Sequence, residues 1–247
     1  MKITEHLLPL ALLLATSTTL QSCLDDNDNS RYVICPSPHP TAIVTVCPEP
    51  TGSFTMRLDD NTSLYPTNMD KSPFGEKEVR ALVNFVADEQ AHDKGGVVIN
   101  YIDSIRTKYP VLDLGAANDL NYGNDPIEIV KDWVTVAEDG YLTLRIRTIW
   151  GPGHTPHYIN LLTGINPDDP FELELRHDAN GDTRGTYSDA LIAFNLNELP
   201  RLSSDPVKIK LHWNSFSGMK QAVFNLTLRP HIDKGDLTDI TPASQLK

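Results

Sequence analysis

The stretch Tyr141-Leu142-Thr143-Leu144-Arg145-Ile146-Arg147-Thr148-Ile149-Trp150 alternates apolar and polar side chains over ten residues. Successive side chains of a β-strand point to opposite faces, so this alternation predicts a strand with Leu142, Leu144 and Ile146 in a core. A second run, Phe171-Glu172-Leu173-Glu174-Leu175-Arg176, has the same period of two. Together the two runs predict sheets with one buried face and one face in water.

Further strand patterns surround these two runs. They cover residues 127–136, 157–162, 188–196, 207–213 and 220–228. Seven strands with turns between them predict an antiparallel β-sandwich, which we place at residues 123–230. Gly, Pro and Asn recur too often here for a long uninterrupted helix.

The first half of the chain also favours strands. Short β-branched or alternating runs occupy residues 42–46, 53–58, 63–65, 78–86 and 97–105. Five short strands over this length predict a small barrel of the oligonucleotide/oligosaccharide-binding (OB) shape at residues 41–108. Periodicity fades afterwards, so residues 109–122 are expected to be a linker. The predicted fold class is all-β, a small OB-like barrel followed by a β-sandwich.

Overall composition limits the partners. The chain has 247 residues, 40% of them hydrophobic, and a formal net charge of −12. This composition is that of an ordinary globular protein with room for one sizeable core or two small ones. The negative charge repels phosphate backbones, so no nucleic-acid partner is expected.

The N-terminus has the features of an export signal. Lys2 precedes an apolar run, residues 7–15, which is long enough for a signal-peptide core but too short to span a bilayer. Leu20-Gln21-Ser22-Cys23 then resembles the lipobox of bacterial lipoproteins. We therefore expect residues 1–22 to be removed and Cys23 to carry fatty acyl chains, whose burial contributes about 0.8 kcal/mol per methylene.

An acidic and proline-rich segment, residues 23–40, follows the predicted lipid anchor. Its acidic run at residues 24–30 has no hydrophobic pattern, which predicts a solvated tether. The run resembles the signal that places lipoproteins on the outer face of the outer membrane in some anaerobic Gram-negative bacteria. A spacer without an address is the alternative. The expected location is the outer membrane, lipid-anchored and on the cell surface, and residues 231–247 are expected to form a C-terminal tail.

Two cysteines remain after the anchor. Cys35 and Cys47 lie twelve positions apart with three prolines between them. In an oxidising envelope they can form a disulfide, which would constrain the unfolded chain by about 3 kcal/mol. The alternative is two separate thiols, because a bridge needs Cα atoms within about 7 Å.

Three motifs of the second half carry a family resemblance. Three segments resemble the C-terminal half of the NigD-like lipoproteins: residues 123–129, which precede a tryptophan, residues 157–161 and residues 175–182. Residues 53–66 resemble the first domain of the same family. The resemblance implies an OB-like domain followed by a β-sandwich. It also implies a link to bacteriocins, where a role in self-protection was suggested. The Cys- and Pro-rich stretch at residues 35–50 departs from the family pattern, and no catalytic residue is carried over.

The candidate contact residues are Trp150, His154, His157 and Trp213. Two histidines beside Trp150 hold zinc only if a third ligand arrives from elsewhere, so we expect no metal and no cofactor. The competing interpretation is a loop whose rings pack or form hydrogen bonds. Trp150 and Trp213 are expected either to contact a ligand or to lie in the core.

The segment Asp178-Ala179-Asn180-Gly181-Asp182 faintly resembles a calcium loop. That loop needs Gly at its sixth position and Glu at its twelfth, where this chain has Thr183 and Asp189. Asn-Gly between two strands is instead typical of a hairpin turn, because both residues tolerate positive φ. No Gly-x-Ser-x-Gly motif occurs either, so no enzyme is expected.

Two functional classes fit these observations. The first is a membrane-anchored, non-catalytic surface protein that binds a protein or a glycan and protects the cell from a bacteriocin. The second is a structural accessory subunit of an outer-membrane complex.

The lipid anchor is directly testable. Cys23→Ala removes the thiol that receives the lipid, so a metabolically incorporated fatty-acid probe should label the wild type and leave the variant unlabelled. Cys35→Ala is the matched control and should keep full labelling. Labelling that persists in Cys23→Ala would refute the anchor.

Overall fold

A computed structural model of the chain describes residues 39–153, 155–201 and 206–229, which belong to one compact unit. Their strands are β1 Ala42–Pro48, β2 Phe54–Arg57, β3 Ser63–Pro66, β4 Val79–Ala87, β5 Gly96–Ser104, β6 Arg106–Lys108, β7 Val111–Leu112, β8 Glu128–Val130, β9 Val136–Glu138, β10 Tyr141–Trp150, β11 Tyr158–Thr163, β12 Glu172–Asp178, β13 Thr186–Asn195, β14 Val207–Ser215 and β15 Gly218–Leu226. A short helix, α1, covers Asn118–Tyr122, and 3-10 turns cover His92–Lys94 and Gly115–Ala117. No helix in these ranges is long and apolar enough to cross a membrane.

Strands β1 to β5 form a closed barrel in the order β1-β2-β3-β5-β4. Only the contact of β3 with β5 is parallel, at Tyr65↔Gly96 and Pro66↔Val97. Inward-facing residues such as Val44, Met56 and Val83 are fully buried in its core. The predicted OB-like barrel is confirmed.

The remaining strands form two packed sheets. The first has the order β6-β13-β10-β8, with β9 also pairing β10, and the second has the order β15-β14-β12-β11-β7. Leu142, Leu144 and Ile146 of β10 are buried between the sheets, as their alternation predicts. The sandwich is confirmed, although β6 with β13, β7 with β11 and β12 with β14 pair in parallel.

The segment after the barrel is not the linker that we expected. β6, placed in the barrel by the sequence, pairs with β13 of the first sheet, and β7 pairs with β11 of the second. Strands of two or three residues show no detectable period, so the pattern could not predict them. The predicted strand at residues 127–136 is likewise divided into β8 and β9.

Asn180 and Gly181 form a turn in which both residues have positive φ, 52° and 79°. The predicted turn is therefore confirmed. It does not form a hairpin, because β12 belongs to the second sheet and β13 to the first. The turn carries the chain from one layer of the sandwich to the other.

The barrel packs on one end of the sandwich around Asp139. Asp139 and Gly140 join β9 to β10 with φ of 52° and 75°, as a two-residue hairpin turn requires. The Asp139 side chain is fully buried and accepts hydrogen bonds from Arg57 Nε of the barrel at 2.6 Å and Arg229 Nε at 2.8 Å. Its backbone N–H donates to Asp60 of the barrel at 2.7 Å.

The ring of Tyr141 contacts two guanidinium groups in the same interface. Arg80 and Arg229 lie over its ring at 5.6 and 5.3 Å. Its hydroxyl donates to Glu78, which Arg229 Nη1 also contacts at 2.8 Å. Burial raises the pKa of Tyr141 above its ordinary value, so the hydroxyl keeps the proton that it donates.

Arg80 is fully buried and spans from the barrel to the sandwich. Its guanidinium donates to Thr45 at 3.0 Å, to Thr143 at 3.4 Å and to Glu138 at 2.6 Å. Thr143 and Tyr141 are consequently buried although the alternation of β10 predicts them in water. The barrel covers the outer face of this strand at its first residues.

Cys47 lies on β1 near the same cluster. Its Sγ is 3.7 Å from Thr45 O and from Glu78 Oε2, and burial raises the pKa of the thiol to about 12. Within the described ranges it is a free thiol. Its predicted partner, Cys35, lies outside these ranges, so the disulfide stays a prediction. Cys23, the signal peptide and the C-terminal tail also lie outside the described ranges.

Asp139→Asn tests the interface because it removes the negative charge of this side chain. Asn tolerates the positive φ of this position, so the backbone of the turn is kept. The change leaves two arginines facing a neutral side chain, and we expect it to lower the free energy of unfolding by about 3–5 kcal/mol. Asp169→Asn is the matched control, since Asp169 forms an ion pair with the half-exposed Lys210 at 2.8 Å. Urea unfolding should show a loss of less than about 1 kcal/mol for the control. Equal losses in the two variants would contradict the account.

Candidate binding face

The end of the sandwich opposite the barrel presents an open surface. β10 starts at the interface with Tyr141 and ends at Trp150, nine residues later, which corresponds to about 30 Å. Six other strands have a terminus at this far end. They are β12 and β14, which end here, and β8, β11, β13 and β15, which start here. Its loops are therefore held apart from the barrel by the length of the sheets.

An open cleft of about 700 Å³ lies on the outer side of the first sheet at this end. Two aromatic side chains line it, Tyr187 with 59% and Phe216 with 37% of its surface exposed. Their rings meet edge to face with centroids 5.3 Å apart. Exposed aromatic rings in a concave site are typical of binding surfaces.

A ladder of ion pairs forms the floor of this cleft and extends beyond it. Asp189 pairs with Arg147 at 2.5 Å and with Arg145 at 2.6 Å, and Arg145 also pairs with Asp132 at 2.6 Å. Hydrogen bonds from Arg147 lower the pKa of Asp189 to about 2, so its carboxylate stays charged. The two arginines and the two aspartates balance one another's charges.

A second cleft, of about 250 Å³, lies on the other side of Asp189 and extends back to Leu82 of the barrel. Its lining includes Arg145, Asp132 and Trp133, and the Trp133 side chain is 55% exposed. We call the surface formed by Tyr187, Phe216, Arg147, Asp189, Arg145 and Trp133 the binding face.

Trp150 stands at the edge of this face and covers a buried histidine pair. Its ring stacks on His157 at 4.1 Å between centroids, and its Nε1 donates to Ser188 O at 3.1 Å. His157 Nδ1 lies 2.9 Å from His177 Nε2, and His157 Nε2 lies 3.3 Å from Asp182 Oδ2. The His157 side chain is only 1% exposed.

The hydrogen-bond partners assign the protons of this pair. His177 Nδ1 faces the Pro126 carbonyl at 3.2 Å, which can only accept, so His177 Nε2 accepts from His157. Burial lowers the pKa of His177, which keeps this ring neutral. His157 can then donate to both His177 and Asp182 only when it carries both protons. Gly151 N also donates to Asp182, at 2.9 Å, and this bond lowers the pKa of Asp182.

The sequence predictions fare differently at this end. Trp150 and His157 come together as predicted, but they brace the loops and do not offer free contacts. Trp213 is only 4% exposed and belongs to the sandwich core, so its role as an exposed contact is wrong. Its inward position on β14 follows the same alternation as Ile209 and Leu211. His154 lies outside the described residues.

The exposed aromatic residues of the face were missed. Phe216 lies in the polar turn Ser215-Phe216-Ser217-Gly218, and Trp133 follows Lys131-Asp132. A large aromatic residue in a polar turn has no core to enter, and this was the available signal. Within residues 39–153, 155–201 and 206–229, no group of three or more His, Cys, Asp or Glu is placed to hold a metal ion.

The fold defines a two-part β-protein with a barrel and a sandwich, and the sandwich carries an open face with exposed aromatic side chains. The family model of the NigD-like N-terminal OB domain matches residues 43–105, and that of the NigD-like C-terminal beta sandwich domain matches residues 110–226. The chain belongs to the NigD-like family. No functionally curated protein matches it.

Three solved structures show the same fold. A toxin-related protein from Parabacteroides distasonis is 35% identical over 74% of this chain and 91% of its own, with a TM-score of 0.63. A NigD-like immunity protein from Bacteroides caccae is 19% identical over 74% and 93%, with a TM-score of 0.53. A lipoprotein from Bacteroides fragilis is 14% identical over 77% and 98%, with a TM-score of 0.54.

Asp182→Ala tests whether the histidine pair braces the face. It removes the acceptor shared by Gly151 and His157, so the Trp150 indole N–H should exchange with solvent at least about tenfold faster. NMR measures this exchange for each tryptophan separately. The matched control, Asp168→Ala, changes an exposed turn residue and should leave Trp150 unaffected. Unchanged exchange in Asp182→Ala would show that the brace does not depend on this carboxylate.

Proposed function

We propose that the chain is a lipid-anchored, non-catalytic lipoprotein of the immunity type that binds a protein or glycan ligand on its binding face. The observation that carries the proposal is the pair of clefts on either side of Asp189, each with exposed aromatic side chains. Aromatic and arginine side chains contribute most of the binding energy in many interfaces. Family membership and the immunity protein of the same fold support this class of function.

The polar groups of this face are arranged for binding. Arg145, Arg147 and Asp189 hold one another, so they meet a ligand without first being ordered. The ring of His157 stacks under Trp150 and its side chain is only 1% exposed. This arrangement favours recognition over catalysis.

The location of the proposed function follows from the N-terminus. Fifteen residues, 24–38, separate the predicted lipid anchor at Cys23 from the first described residue. Fully extended they would reach at most about 55 Å, enough to hold the globular part clear of the lipid headgroups. We propose attachment to the outer membrane with the binding face exposed at the cell surface.

A double variant, Tyr187→Ala with Phe216→Ala, tests the face. Affinity-tagged protein on intact cells should recover its ligand at least about tenfold less efficiently once both rings are removed, since a central aromatic contributes about 2 kcal/mol or more. Tyr158→Ala is the matched control, because Tyr158 is 50% exposed on the second sheet and lies outside both clefts.

The nature of the recovered ligand tests the function. A soluble bacteriocin or a glycan that depends on Tyr187 and Phe216 supports the proposal. Recovery of an outer-membrane protein that is insensitive to the double variant would instead identify an accessory subunit and refute the proposed role of the face.

A further inference from the structure

The sandwich has an open side where the last strands of its two sheets face each other. β15 ends the second sheet and β8 ends the first, and no strand of the described residues pairs with the outer edge of β15. Alternate residues of an edge strand direct their N–H and C=O groups outward. Alternate residues of β15 therefore offer backbone partners along an edge about 30 Å long, which β9 also contacts and which the Lys220–Glu128 ion pair joins to β8.

A groove of about 520 Å³ runs between these two edges. Its apolar walls include Ile129 on one side and Ala222 and Phe224 on the other, with Trp213 between them. Lys131 and Thr135 add polar groups to its lining. The groove is continuous with the sandwich core but open to solvent.

Trp213 lines this groove and carries a buried hydrogen-bond donor without a partner among the described residues. The side chain is buried, and its Nε1 has no acceptor among the described residues. Buried N–H groups almost always find a partner, and the indole of Trp150 in the same domain donates to Ser188 O. An occupant of the groove that supplies an oxygen atom would satisfy this donor.

The charges around the groove leave one cation uncompensated. Asp132 is paired with Arg145, and Glu128 is paired with Lys220 at 2.9 Å. Lys131 is exposed and has no ion-pair partner within the described part of the chain. The complementary charge for an occupant is therefore a carboxylate near Lys131.

The edge also lacks the usual protection against strand pairing. Lys220 is the only charged residue of β15, and its ammonium is held by Glu128. Met219 and Val223 expose 64% and 61% of their surfaces. Natural proteins normally block such an edge with charges, proline or a bulge.

We propose that this open side binds an extended segment of a partner protein as an added strand on β15. One apolar side chain of the segment enters the groove, a carbonyl oxygen accepts the Trp213 N–H, and an acidic residue pairs with Lys131. A lipid or a sugar could satisfy the indole but could not pair with the outward backbone groups of β15. The groove adjoins the binding face at Asp132, which lines both the groove and the second cleft, but its occupation does not depend on the function proposed there.

A random library of 12-residue peptides displayed on phage provides the probe, selected against the chain from Leu24 to Lys247. Enriched peptides should alternate apolar residues and contain Asp or Glu. Added as synthetic peptides, they should shift the NMR signal of the Trp213 indole N–H and slow hydrogen exchange of β15 amides.

Single substitutions separate the parts of the site. Lys131→Glu and Val223→Lys should each weaken peptide binding by about tenfold or more, and Trp213→Phe should weaken it while keeping the aromatic ring in the core. Lys208→Glu, an exposed change on β14, is the matched control and should bind as the wild type does.

Three results would overturn the proposal. The first is a selection that enriches no peptide above background. The second is a set of peptides that bind Val223→Lys as well as the wild type. The third is protection of the β15 amides and the Trp213 indole before any peptide is added, since the edge would then be covered by residues 230–247 or by a second copy of the chain. Truncation after Arg229 and sedimentation velocity distinguish those two occupants.

Discussion

The buried carboxylate of Asp139 is the group on which the arrangement of the two parts depends. It is fully buried in the interface, where Arg57 of the barrel and Arg229 at the end of the sandwich both donate to it. Two charges of one sign without this carboxylate would repel each other in a medium of low polarity. Asp139 therefore fixes which end of the sandwich meets the barrel.

That constraint determines where the open surfaces lie. With one end of β10 covered by the barrel, the loops at Trp150 remain free of it, about 30 Å away. The ion pairs of Asp189 and the stack of Trp150 on His157 then hold the binding face in one shape. Among the described residues no barrel strand pairs with β15, so its outer edge is left without a strand partner.

Much of the fold could be predicted from the sequence, because periods of two in β10 and β12 report directly on burial. The predictions failed where tertiary packing overrides the period. Thr143 is buried by Arg80 from the barrel, and β6 and β7 are too short to show a period. Asp139-Gly140 carried a local signal, the Asp-Gly pair of a tight hairpin turn, but nothing local indicated that its carboxylate would be buried by a distant arginine.

The candidate site was harder to predict than the fold. Sequence alone cannot distinguish an aromatic residue in the core from one on the surface, so Trp213 and Trp150 were chosen while Trp133, Tyr187 and Phe216 were missed. The decisive contacts also join residues far apart in the chain. His157 meets His177 twenty positions later, and Arg147 meets Asp189 forty-two positions later.

The central claim is that the barrel and the sandwich form one cooperative body held by the Asp139 interface. Hydrogen exchange of the wild-type protein, measured by mass spectrometry at increasing urea concentrations, tests it most directly. The account predicts that peptides from β1–β5 and from β10–β15 lose protection at the same urea concentration. Loss of protection in the barrel at a clearly lower concentration than in the sandwich would show two independent domains and contradict it.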